Sequence, residues 1–320
     1  MEDVTDAAFR RLIARYSSPL VPRVIYTEFT SADGLLLARE QGRRKLLKKF
    51  EYAQIERPVV AQLFSATPEH IEKASALAAD LGFDGIDINM GCPVDEVVDN
   101  QCGAALIKDP PRAREMMRAA KRGAPRLPIS VKTRLGYNTD ELETWLPELL
   151  AEDPAAITFH ARTRKEMSNV PARWDRIARA VEIRNQCQGD TLTRTAIIGN
   201  GDVKDLHDAR TKAREAKCEG VMLGRAVFGN PWIFANRSDE PTQDERVEAL
   251  REHLDLFDQL LTGFINFAVM KKHFKAYISG WDGAKELRVQ LMDTTAVGEA
   301  KSLLIEHSLQ FRPVYQTIAK

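Results

Sequence analysis

Between residues 58 and 225, short apolar runs alternate with amphipathic segments at a spacing of roughly 30 residues, which limits the fold to stacked βαβ units around a parallel sheet. The apolar runs are 58–64, 85–89, 128–136, 155–160, 196–202 and 220–225, and a β-branched and aromatic run at 21–30 precedes them. Helical spacing or helix-start signals mark 7–16, 32–39, 67–81, 111–122, 140–151, 174–184 and 203–216. In the first of these, Phe9, Leu12 and Ile13 share a face and Thr5 or Asp6 caps the start. A doubly wound sheet concentrates its ligand groups near one glycine-rich turn. Here polar residues stand at or just past the ends of many strands: Gln62, Asn89, Lys132, His160, Asn200 and Arg225. That is the pattern of a (β/α)8 TIM barrel, an α/β fold whose ligand groups come from the C-terminal ends of several strands. The count is one strand short of eight.

After Pro241 the alternation stops. Segments 245–261, 267–278, 284–292 and 297–307 carry helical periodicity with no strand between them, which predicts a C-terminal all-α helical bundle. Two domains are therefore expected, 1–240 and 241–320. Lys271, Lys272, His273 and Lys275 fall on one predicted helix, with Lys285 and Arg288 on the next. A second basic run, Arg43 to Lys49, reads as a solvated face or a contact for an anionic partner.

Composition narrows the class. Net charge is zero over 320 residues, so an anionic partner would have to be met by local clusters rather than a global field. Four cysteines, Cys92, Cys102, Cys187 and Cys218, lack metal-site spacing and are too few for a disulfide scaffold. No metal is expected. No apolar run reaches membrane-spanning length, which predicts a soluble, cytoplasmic protein without a membrane partner.

Four features could carry chemistry. Asn200-Gly201-Asp202 and Gly224-Arg225 close the last two strands, where a barrel commonly binds phosphate through backbone N–H groups; the alternative is a pair of tight turns with a surface arginine. Lys132 sits inside an apolar strand and calls for an anion: a flavin ring, a Schiff-base substrate, or a barrel carboxylate such as Asp87 or Glu28. His160, followed by Arg162 and Arg164, is either a site residue or a core histidine beside surface arginines. Cys92, after Asn89-Met90-Gly91 and before Pro93, is either a packed thiol or a reactive one, while Cys102 is expected to pack.

Taken together, Asn89-Met90-Gly91-Cys92-Pro93, Gly103-Ala104-Ala105-Leu106, Val131-Lys132-Thr133-Arg134-Leu135-Gly136 and His160-Ala161-Arg162-Thr163-Arg164 carry a family resemblance. With Asn200-Gly201-Asp202, Leu223-Gly224-Arg225 and Lys272-His273-Phe274-Lys275-Ala276-Tyr277, the chain resembles the tRNA-dihydrouridine synthases over nearly all its length. The resemblance implies an FMN enzyme that reduces the 5,6 double bond of a tRNA uridine at the expense of NADPH. It implies that Gln62, Lys132 and His160 hold the flavin ring and that Asn200, Gly201, Asp202, Gly224 and Arg225 bind its phosphate. Members of the family begin with an apolar strand ending in Ala-Pro-Met, so the resemblance implies a barrel lacking its first strand, and Met1, where that strand ends, joins the cofactor set. Asn89 places the uracil, Cys92 protonates carbon 5, and the helical domain grips tRNA, with Lys272, Lys275 and Arg288 as contacts. A monomer is expected. Two other readings remain: a small-molecule flavin barrel of the dihydroorotate dehydrogenase or ene-reductase kind, which needs no basic helical domain, and a non-catalytic RNA-binding barrel.

Overall fold

The computed structural model describes residues 3–189 and 194–310; Met1 lies outside them, as does part of the stretch 185–194, whose polar composition predicts a loop and whose first residues instead continue the helix Trp174–Gln188. Contacts divide the described chain into two units. One is Pro22–Val227, and the other joins Asp3–Val21 to the segment from Phe228 onward.

In the first unit every strand pairing is parallel. The strands are β1 (Ile25–Tyr26), β2 (Thr30–Ser31), β3 (Val59–Phe64), β4 (Gly85–Met90), β5 (Ile129–Arg134), β6 (Ala156–His160), β7 (Ala196–Asn200) and β8 (Gly220–Met222). They follow one another across the sheet in chain order, with β1 and β2 sharing one position beside β3. Seven positions result, as the sequence count has it, and their order is that of a barrel wall rather than a doubly wound sheet. The edges β1 and β8 exchange no backbone ladder among the described residues. Central strands are buried almost throughout; all six residues of β4 are buried, as a sheet covered on both faces requires.

The run at 21–30 is not the continuous strand that its composition predicts. Tyr26 pairs with Val60 and Thr30 with Leu63, so four steps along one strand match three along the other. That extra residue is a β-bulge, and it splits the strand in two. At the bulge Thr27 Oγ1 accepts the Gln62 backbone N–H at 3.0 Å. The last strand is also shorter than its apolar run, because Arg225 already belongs to a 3-10 turn, Arg225–Val227.

Helix starts follow local capping chemistry. Asp6 accepts Phe9 N–H, Asp109 accepts Arg112 N–H and Asp205 accepts Asp208 N–H. Thr67, whose place before Pro68 also predicts a cap, makes no such bond to the helix Pro68–Asp80, and the proline at the first turn serves instead.

The second unit is helical. Ala7–Tyr16 packs on Gln243–Leu261, whose Thr242 and Glu245 form a capping box. An amphipathic face does not name its partner, so the sequence reading assigned this first helix to the barrel. Phe9, His253, His273 and Tyr277 meet in the core of this unit, with Phe9 4.8 Å from His273 and His273 4.7 Å from His253 between ring centroids. Both ring nitrogens of His273 and Nε2 of His253 are buried without a hydrogen bond. No helix is long and apolar enough to cross a membrane among the described residues.

Candidate active site

Parallel register aligns the polar side chains of neighbouring strands into rows. Gln62, Asp87 and Ser130 stand opposite one another on β3, β4 and β5. One step of two residues higher, Asn89, Lys132 and Thr158 do the same on β4, β5 and β6. Arg134, His160 and Asn200 form the third row on β5, β6 and β7. Alternate residues of a strand point to one face, so all three rows line the same side of the sheet at its C-terminal end. The expected residues Gln62, Asn89, Lys132, His160 and Asn200 are thereby brought together.

Past β4 the chain turns, and the turn is tied down from several directions. Asn89 Oδ1 accepts the backbone N–H of Gly91 at 3.1 Å and of Cys92 at 2.9 Å. Ala104 N–H donates to the Cys92 carbonyl at 3.0 Å. Gly103 has φ +58°, and a Cβ there would lie 2.9 Å from the Cys92 carbonyl oxygen, so only glycine fits. Arg134 is buried and donates to the carbonyls of Gly91, Thr163 and Met167 at 2.9–3.0 Å, joining the loops after β4 and β6. Arg164 pairs with Asp95 across the same two loops. Cys92 is 9% exposed, a thiol held under a rim rather than on the surface. Cys102 packs as expected, its thiol pushed up to about 12 by burial.

The electrostatics follow from crowding cations in a dry place. Lys132 is lowered to about 8, first by burial and then by Arg134, against the pull of Asp87 and Cys92. Its ammonium forms no ion pair or hydrogen bond among the described residues, and the Asp87 oxygens accept from Ser130 and Gln62 instead. The Thr158 hydroxyl beside it in the row is also buried without a hydrogen bond. His160 is held far below its usual range by burial and by Lys132, so its imidazole is neutral at pH 7. Arg162 Nη1 donates to its Nε2 at 3.0 Å, which leaves the proton on Nδ1.

At the last two strands, Asp202 is lowered to about 2, first by Arg162. Arg162, 2% exposed, is therefore no surface arginine; it pairs with Asp202 and donates to the Val170 carbonyl. The other Asp202 oxygen accepts from Arg225 Nη2 at 2.9 Å, and Arg225 remains 68% exposed. Asn200 Nδ2 donates to the Met222 carbonyl at 2.8 Å and Trp174 Nε1 to the Gly201 carbonyl at 2.9 Å, fixing the turn between β7 and β8. A Cβ on Gly224 would meet nothing within 4 Å, so the backbone there faces open space.

In the helical unit, Lys272 pairs with Asp3 at 2.9 Å and Lys275 is exposed. Arg288 is half-buried and donates to the Ile278 carbonyl at the end of helix Lys271–Tyr277, a capping role that its sequence position did not disclose. Sequence reasoning also passed over Asp87 as anything but a lysine partner, and gave Ser130, Arg134 and Arg162 no site role of their own. The strand parity of Asp87, two residues before Asn89, was the available signal. Among the described residues no group of three or more acidic, histidine or cysteine side chains could hold a metal ion.

Comparison with known proteins identifies a family. The dihydrouridine synthase family profile matches residues 1–311. A probable tRNA-dihydrouridine synthase 2 of Bacillus subtilis (strain 168) is 38% identical over 306 residues, 95% of this chain and 91% of the relative. A probable tRNA-dihydrouridine synthase of Staphylococcus aureus (strain COL) is 38% identical over 312 residues, 97% of this chain and 92% of the relative. Among solved structures, morphinone reductase in complex with tetrahydroNAD aligns at a TM-score of 0.46 and 13% identity, over 76% of this chain and 86% of that one. This chain belongs to the dihydrouridine synthase family.

Proposed function

We propose that the protein is a tRNA-dihydrouridine synthase, an oxidoreductase that uses NADPH and FMN to saturate the 5,6 double bond of a tRNA uridine. The observation that carries this reading is Cys92, fixed by Asn89 at the end of β4 in a row that also holds Lys132. FMN suits the donor set. An unpartnered ammonium at Lys132 and an N–H at His160 Nδ1 answer a ring that gains negative charge, and the open backbone at Gly224 beside exposed Arg225 answers a phosphate. Asp202 would act there through the two arginines it orients, since a carboxylate does not itself attract an anion. When bound and reduced by NADPH, FMN supplies the hydride that ends on carbon 6 of the uracil.

The protein's own part is positioning and protonation. Asn89 commits its oxygen to the Cys92 turn, so the group it can offer a base is its N–H, which suits a uracil carbonyl. Cys92 gives its proton to carbon 5 on the face it occupies, in a pocket that excludes bulk water once a flipped base fills it. The exposed Lys272 and Lys275 contact the tRNA backbone, so affinity falls with salt. The test is dihydrouridine formation on unmodified tRNA with NADPH, comparing the parent with Cys92→Ala. Turnover is expected to drop at least about a hundredfold in the variant. Equal turnover would remove Cys92 from the mechanism.

A further inference from the structure

A buried carboxylate lies beneath the site with no part in the chemistry described so far. Asp87 is fully buried on β4, between Gln62 of β3 and Ser130 of β5. Ser130 Oγ donates to Oδ1 at 2.6 Å and Gln62 Nε2 donates to Oδ2 at 2.7 Å. Burial raises its pKa to about 6, opposed by the bonds from Ser130 and Gln62 and by Lys132, and Tyr26 is the other titratable group that faces it. Burying a carboxylate destabilises the fold, so its presence asks for a compensating role.

That role is visible in the direction of the hydrogen bonds. An ionised carboxylate can only accept, so it forces Gln62 to turn its NH2 inward and its carbonyl oxygen toward Asn89. Gln62 Oε1 accepts from Asn89 Nδ2 at 3.4 Å. Asn89 is then obliged to present Oδ1 to the backbone N–H groups of Gly91 and Cys92. Reversing the first amide would put carbonyl oxygen against carboxylate at the bottom of the chain and NH2 against NH2 at the next link. We propose that Asp87 is a positioning residue: through Gln62 it sets the orientation of the Asn89 amide, and so the placement of the Cys92 thiol. The inference deepens the reading above and rests on Cys92 as the proton donor only for its activity readout.

Two substitutions separate the acceptor from the charge. Asp87→Leu removes the acceptor; Asp87→Asn keeps an oxygen for Gln62 while discarding the charge, and its NH2 can donate to Ser130. With tRNA and NADPH, Asp87→Leu is expected to lower kcat between about tenfold and a hundredfold, as loss of reactive alignment does, with KM for tRNA unchanged. Asp87→Asn is expected to restore kcat to within about threefold of the parent, because the acceptor that aligns Gln62 remains. Independently of activity, iodoacetamide alkylation of Cys92, followed by peptide mass, should run faster in Asp87→Leu than in the parent and at the parent rate in Asp87→Asn. Unchanged kcat and alkylation in Asp87→Leu would overturn the relay, and so would an Asp87→Asn protein as impaired as Asp87→Leu. Asp87→Ala puts the same question with less bulk if leucine prevents folding. A parent protein that forms no dihydrouridine sinks the proposed function and leaves the alkylation comparison to judge the relay.

Discussion

Acidification should loosen the helical unit before it reaches ordinary carboxylates, and His273 lets the effect be measured. Its ring is buried between Phe9, Phe228 and His253, with neither nitrogen hydrogen-bonded. Burial, and after it Lys272, lowers its pKa from 6.5 to about 4. His253 is depressed as well, by burial and by His273, and its Nδ1 lies 3.5 Å from the Tyr277 hydroxyl. A base whose pKa is lower in the folded state takes up protons more readily when unfolded, so its contribution is complete above pH 6.5 and is lost as pH falls toward 4. For a single site with those two values, the loss between pH 7.5 and pH 5 is about 2 kcal/mol, or nearly thirtyfold in the unfolding equilibrium. His273→Phe keeps the ring contacts and removes the titration. Urea unfolding at pH 7.5 and at pH 5, followed by circular dichroism, should show the parent losing about 2 kcal/mol more than the variant. Groups distant from His273 affect both proteins alike and drop out of the difference, and His253, which touches it, is depressed chiefly by burial that the phenyl ring retains. Parallel pH dependence in the two proteins would refute the reasoning.

Two further substitutions separate the site end of the sheet from the opposite end. Gly103→Ala places a Cβ 2.9 Å from the Cys92 carbonyl oxygen at φ +58°, so dihydrouridine formation should fall by about a hundredfold through a shifted thiol. The left-handed backbone itself costs only about 1–2 kcal/mol, and thermal unfolding should show a folded protein. At the other end, Arg184 is fully buried, pairs with Glu219 at 2.9 Å and donates to the Thr195 carbonyl just ahead of β7. Arg184→Met should lower stability by about 3 kcal/mol, read from the urea midpoint, while turnover per folded molecule stays at the parent level.

Much of the fold was legible because periodicity and strand-end chemistry agreed. Helix Ala7–Tyr16 falls where Phe9, Leu12 and Ile13 predict it, and β3 to β7 fall within a residue or two of their apolar runs. The departures have physical causes. The bulge at Thr27–Phe29 depends on pairing with β3, which a linear reading does not contain. The partner of the first helix is decided by packing against Gln243–Leu261, and amphipathicity alone does not choose among covers. At the candidate site, the linear reading points to residues that end strands and passes over those that hydrogen-bond to them. Asp87 and Arg162 read as ordinary charges until burial and hydrogen bonding give them direction.

The rows of side chains also bear on how one group of polar residues can be drawn from so many strands. In a barrel wall the strands are tilted, so a line of register partners falls as it passes from strand to strand. Gln62 lies in the lowest row, Asn89 and Lys132 in the middle one, His160 and Asn200 in the highest. A step to a higher row offsets that fall, so barrel geometry carries residues from different rows toward one level, like treads cut back from a spiral stair to make a landing. The landing is therefore a property of the sheet before it is one of the loops above it.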